Sequence, residues 1–176
     1  MTDRRQFPIG EQDFANIRNN NMVYIDKTRH IYNIGHESGK YFFFRPRRFG
    51  KSLLLSTMRY YFEGRRELFE GLAINSLEKE WKKRPVIFLD LSRGRTINLS
   101  ALHSMINRNL TEYEQLYNLK TDKDDSYSTR LTAIIQEAYK QTGEQVVVLI
   151  DEYDAPMLDS MNDPELQDYI RNRVRN

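Results

Sequence analysis

Gly50, Lys51 and Ser52 close the run Arg45-Pro46-Arg47-Arg48-Phe49-Gly50-Lys51-Ser52. Glycine frees the backbone to turn its N–H groups inward. Lysine brings a point charge to phosphate oxygens, and the serine hydroxyl suits Mg²⁺. Together they match the end of the pattern G-x-x-x-x-G-K-[ST], a phosphate-binding loop. Arg45 stands where that pattern has its first glycine, so the turn at the loop's entrance is made by a residue with a side chain. A second constellation follows where the apolar run Val146-Val147-Val148-Leu149-Ile150 ends in Asp151 and Glu152. Hydrolysis of a nucleoside triphosphate uses one acid to hold hydrated Mg²⁺ and another to orient or deprotonate water. Asp151 suits the first role and Glu152 the second. Taken singly, each run has an ordinary explanation, a chance tripeptide at a helix start or a strand that ends in a polar turn. Their pairing, in this order, is what points to Mg-ATP chemistry.

Such residues need a strand before the loop, a helix after it, and a buried strand beneath the acids. Tyr41-Phe42-Phe43-Phe44 reads as the first strand, buried. Leu53, Leu54, Thr57, Met58, Tyr61 and Phe62 recur at helical spacing behind Ser52, with Gly64 as the stop. The run Val146–Ile150 reads as a central strand of a parallel sheet, buried on both faces, with its carboxylates at the edge where α/β sheets bind ligands. Pro85 to Leu91 is another apolar strand. The stripe Leu99, Leu102, Met105, Ile106, Leu110, Tyr113 and Leu116 predicts an amphipathic helix. Leu131, Ile134, Ile135 and Ala138 predict another, stopped by Gly143. Asp13 to Arg18 reads as a short helix, and Tyr24-Ile25-Asp26-Lys27-Thr28 leads into one capped by Asp26 or Thr28. Lys120 to Asp125 reads as a solvated loop. The alternation predicts an α/β three-layer sandwich with a mostly parallel central sheet. Residues 1–40 form a lead-in, and 41–176 the core with the loop, the acidic strand and a following helix.

Composition sets limits. A chain of 176 residues suits one domain, and 27 basic against 25 acidic residues leave no global field for nucleic acid or membrane. Without cysteine there is no disulfide framework and no thiolate metal site, which suits a reducing, cytoplasmic setting. His30, His36 and His103 lack metal-ligand spacing. No signal peptide and no membrane-length apolar run is present.

The segments Phe7-Pro8-Ile9-Gly10, Tyr24-Ile25-Asp26-Lys27-Thr28, Arg45 to Ser52 and Leu149-Ile150-Asp151-Glu152-Tyr153-Asp154-Ala155-Pro156 together resemble the bacterial AAA-ATPase-like family. Its members are often found in gut Bacteroidetes, and many carry a PD-(D/E)xK-type nuclease domain after the ATPase part. The resemblance covers the whole chain and implies a P-loop NTPase fold, an arginine accepted at the loop entrance, and Walker A and Walker B roles for the two motifs. By similarity, Arg47, Arg48, Phe49, Gly50, Lys51, Ser52 and Leu53 surround the nucleotide. Ser52 and Asp151 hold Mg²⁺, and Lys51 and Glu152 serve catalysis. Asn176 falls inside what reads as a helix opened by Asp163 and Pro164. The expectation is therefore an N-terminal portion with an incomplete sheet, whose sensor strand, arginine finger and nuclease-like effector lie beyond it.

Three further readings bear on function. Arg45, Arg47, Arg48 and Lys51 add phosphate or acidic-partner contacts, or Arg47 and Arg48 pair with nearby carboxylates and position the loop, and nucleic-acid contact is the weaker reading because no stacking platform is interleaved. Asp154 and Asp26 read first as turn and helix caps, and second as site residues. Glu80-Trp81-Lys82 matches a minimal E-x-K nuclease element but lacks a preceding strand aspartate. An ATP hydrolase coupled to a downstream effector leads. The alternative is a nucleotide-binding switch or interaction module with little or no turnover, and an oligomer is compatible with either.

Overall fold

The computed structural model describes residues 5–37, 39–44, 46, 49–91, 99–122 and 125–152. The chain divides into two compact units, Met1–Val86 and Ile87–Asn176.

The first unit is helical among its described residues: α1 (Phe14–Asn19), α2 (Thr28–His36), α3 (Lys51–Phe62), a 3₁₀ turn (Arg66–Phe69) and α4 (Ala73–Leu77). Asp13 starts α1 because its carboxylate takes the Asn16 amide at 2.8 Å. α2 starts at Thr28, whose amide and hydroxyl both donate to Asp26 Oδ1 at 2.8 and 2.6 Å. Asp26 Oδ2 takes the Ala73 amide at 2.7 Å, so one carboxylate holds the starts of both α2 and α4. Phe14, Ile17, Ile31, Met58, Phe69 and Ile74 form the buried centre. Phe69 sits between Phe14, at a ring separation of 4.8 Å, and Trp81, at 5.2 Å.

The second unit holds β1 (Val86–Asp90, its first residue at the boundary), α5 (Leu99–Leu116), α6 (Tyr127–Thr142) and β2 (Val147–Asp151). β1 and β2 form a two-stranded parallel sheet, pinned at its C-terminal end by the Leu91 amide on the Asp151 carbonyl at 3.1 Å. Ile87, Leu110 and Ile134 make the core, with Leu89, Val146 and Val148 packed against it. α6 begins where Ser126 takes the Thr129 amide and ends at Gly143, which is left-handed at φ +70°. Between α5 and α6 lies a buried ion pair. Arg130 Nε and Nη2 donate to Glu114 Oε1 and Oε2 at 2.7 and 2.9 Å, and Asn107, Thr111 and Thr121 complete the network.

The two apolar runs expected as strands have different outcomes. Tyr41–Phe44 is irregular, and Phe44 is 86% exposed. A strand needs a neighbour to satisfy its N–H and C=O groups, and among the described residues the two strands pair with one another. β2 sets Val148, with Val146 just before it, against the core of Ile87, Leu110 and Ile134 and buries Leu149 and Asp151 on its opposite face, while Ile150, near its end, is 43% exposed. The helices at 53–62, 99–116 and around 131–138 form where their stripes place them.

Candidate functional site

The first unit carries the candidate phosphate-loop residues at the start of α3. Gly50 is the cap, left-handed at φ +75°, and no side chain caps this helix. A Cβ on Gly50 would meet nothing within 4 Å, so backbone conformation, not space, favours glycine there. The first amides of a helix have no intrahelical acceptor. Among the described residues, those of Lys51, Ser52 and Leu53 find none elsewhere. These bare donors sit at the positive end of the helix dipole, with the half-buried Lys51 and Ser52 side chains beside them. The start of α3 therefore fits an anion. Phe49 is exposed, while Arg45, Arg47 and Arg48 lie outside the described residues.

Ser56, one turn beyond Ser52 on the same helix face, fixes the lead-in to α3. Its Oγ accepts the Phe14 amide at 2.9 Å and reaches Asp13 Oδ2 at 3.4 Å. Tyr60, a further turn on, donates to the same Asp13 oxygen at 3.0 Å. Sequence reasoning missed these positioning residues. Their spacing of four from Ser52 was the available signal.

The second unit carries the acids. Asp151 closes β2, is buried, and accepts the Glu152 amide on Oδ1 at 3.0 Å. Among the described residues it has no ion-pair partner, an uncommon state for a buried carboxylate unless a cation is to be held. Glu152 turns left-handed at φ +52°. For a residue with a side chain that conformation costs about 1–3 kcal/mol, and such strain collects at functional sites. Asp151 and Glu152 are thus adjacent and held differently, one pinned in the strand and one released from it.

The remaining candidates divide clearly. Asp26 has both oxygens engaged as a cap, and Asp154 lies outside the described residues. Lys82 pairs with Glu80 at 3.2 Å in the exposed stretch after α4, which leaves the E-x-K element as a surface ion pair. His36 Nδ1 contacts the Tyr32 carbonyl, and His103 contacts Tyr127. Among the described residues no cluster of three or more His, Cys, Asp or Glu is arranged to hold a metal. Nor is any helix there long and apolar enough to cross a membrane.

A family described as Predicted AAA-ATPase matches residues 8–176. The chain belongs to this predicted AAA-ATPase family. A protein described as uncharacterized, in the vnfD 5′ region of Azotobacter chroococcum mcd 1, is 37% identical over 175 residues, covering 98% of this chain. The chain spans 34% of that relative's length. No solved structure matches. Membership of an AAA-ATPase family is consistent with an ATP-binding module, and the bare amides at the start of α3 are the feature that agrees with it most directly.

Proposed function

We propose that this chain is the Mg-ATP-binding part of a P-loop ATPase, coupled in the whole protein to a nuclease-like effector. The single observation that carries the reading is the start of α3: a left-handed Gly50, amides at Lys51, Ser52 and Leu53 with no acceptor among the described residues, and a lysine and a serine as their side chains. Phosphate oxygens supply what those donors lack.

In this reading the amides of residues 50–53 bind the phosphates, with Arg47, Arg48 and Phe49 around them. Lys51 bears on the β and γ phosphates, and Ser52 and Asp151 are the protein donors to Mg²⁺. Bound Mg²⁺ supplies neutralisation of charge on the transferred phosphoryl group. Ions of this kind keep several waters and take few protein ligands, which suits one hydroxyl and one carboxylate. Glu152 orients and deprotonates the attacking water, and the left-handed turn at its α-carbon separates its course from that of Asp151. The fold that goes with this chemistry is a P-loop sandwich of which β1 and β2 are two strands.

Glu152→Gln tests the assignment. It removes the base while keeping shape, so turnover of Mg-ATP falls by about 10²–10⁴-fold with ATP affinity preserved. Phosphate release and a binding titration on the same preparation read both quantities. Unchanged hydrolysis overturns the role given to Glu152.

A further inference from the structure

At the other end of α3, about 16 Å along the helix from Lys51 at 1.5 Å per residue, the first unit contains a cavity of about 340 Å³ lined by Tyr32, Tyr61, Phe62, Leu77, Glu78 and Arg84, among others. Glu78 is satisfied in place. Its Oε2 accepts the Tyr61 hydroxyl at 2.6 Å, and its Oε1 accepts the Lys79 and Glu80 amides at 2.9 and 3.0 Å. Burial raises the Glu78 pKa, but these bonds outweigh it and hold the carboxyl below its ordinary range.

Arg84 is different. Its guanidinium lies over the Phe62 ring at 5.6 Å, and one nitrogen reaches the Gly35 carbonyl at a long 3.4 Å. It is half-buried, and among the described residues it makes no ion pair. The other charges at the cavity are already directed. Lys82 pairs with Glu80, Lys79 donates to the Ser76 carbonyl, and His36 Nε2 faces Glu78 at 3.6 Å. A half-buried guanidinium with unused donors, placed over an aromatic ring in a cavity walled by Tyr32, Phe62 and Leu77, is a receptor for an oxyanion that carries an apolar body.

We infer that this cavity is a second ligand site, separate from the start of α3, that takes a small organic carboxylate with its charge on Arg84 and its apolar part against Tyr32 and Leu77.

The chain supplies its own reporter. Trp81 is the single tryptophan, and its ring lies 5.8 Å from that of Tyr61, a wall of the cavity. Benzoate titrated into the wild-type chain is expected to change Trp81 emission saturably, and the neutral analogue benzyl alcohol is not. Arg84→Gln raises the half-saturating benzoate concentration by about tenfold or more, the scale of one charge-assisted contact. Arg84→Lys falls between, and Lys51→Ala leaves the response intact. An equal saturable response to benzyl alcohol, an unshifted midpoint in Arg84→Gln, or no saturable response to benzoate would each overturn the inference. If circular dichroism shows that Arg84→Gln does not fold, the wild-type chain decides by NMR. The Arg84 Nε–H resonance must move with benzoate, and an unmoved resonance overturns the site.

Discussion

Two apolar runs lead into the two candidate site segments of this chain, and they are held in opposite ways. Val147–Ile150 pairs with β1, packs Val148 against the core of Ile87, Leu110 and Ile134, buries Leu149 on the opposite face, and delivers a buried Asp151. Tyr41–Phe44 is irregular and largely exposed, and the order of the phosphate-loop end comes from α3 and the Ser56–Asp13 link behind it. The acids are thus positioned by a ladder and a core, and the amides proposed to meet phosphate by a helix start. Apolar composition alone does not make a strand. A partner for its amides does.

Substitutions break this comparison in order of expected effect. The largest lies between α5 and α6. Arg130→Ala leaves Glu114 buried without its guanidinium and costs about 3–5 kcal/mol, read as a lowered urea midpoint. The same pair sets an acid dependence. Arg130 holds the Glu114 carboxyl below its ordinary pKa, so this contribution is complete above the ordinary carboxylate value and is lost as pH falls through the lowered one. The wild-type midpoint should therefore drop as pH is taken below about 4, and Glu114→Gln should flatten that drop. Next comes Leu149→Ala, which empties a buried position in β2 and costs about 2–5 kcal/mol. The smallest is Phe44→Ser, within about 0.5 kcal/mol of wild type by the same denaturation curve, because the side chain stands in solvent. A Phe44→Ser loss as large as that of Leu149→Ala would erase the distinction between the two runs.

What could be read from the chain beforehand follows the range of the interactions involved. Asp13 and Gly143 mark helix ends through bonds to residues three or four positions away, and the stripes from Leu102 to Leu116 and from Leu131 to Ala138 repeat within one helix. The Gly50-Lys51-Ser52 start and the Asp151-Glu152 end were legible for the same reason, since each is contiguous. α4 was not, because five residues are held by Asp26 and Thr28 on the Ala73 and Ile74 amides, more than forty positions away. Arg130 reads as a surface residue on a helix until Glu114, sixteen positions earlier, is seen beside it. Ser56 likewise gains its meaning only from Asp13 and Phe14.

The most direct measurement of the central claim is a calorimetric titration of the chain with ATP, with and without Mg²⁺, in wild type and Lys51→Ala. The account predicts saturable binding that Mg²⁺ strengthens and that Lys51→Ala abolishes or weakens by about tenfold or more, with the urea midpoint unchanged. Equal affinity in Lys51→Ala, or no binding by a folded wild-type chain, would contradict it.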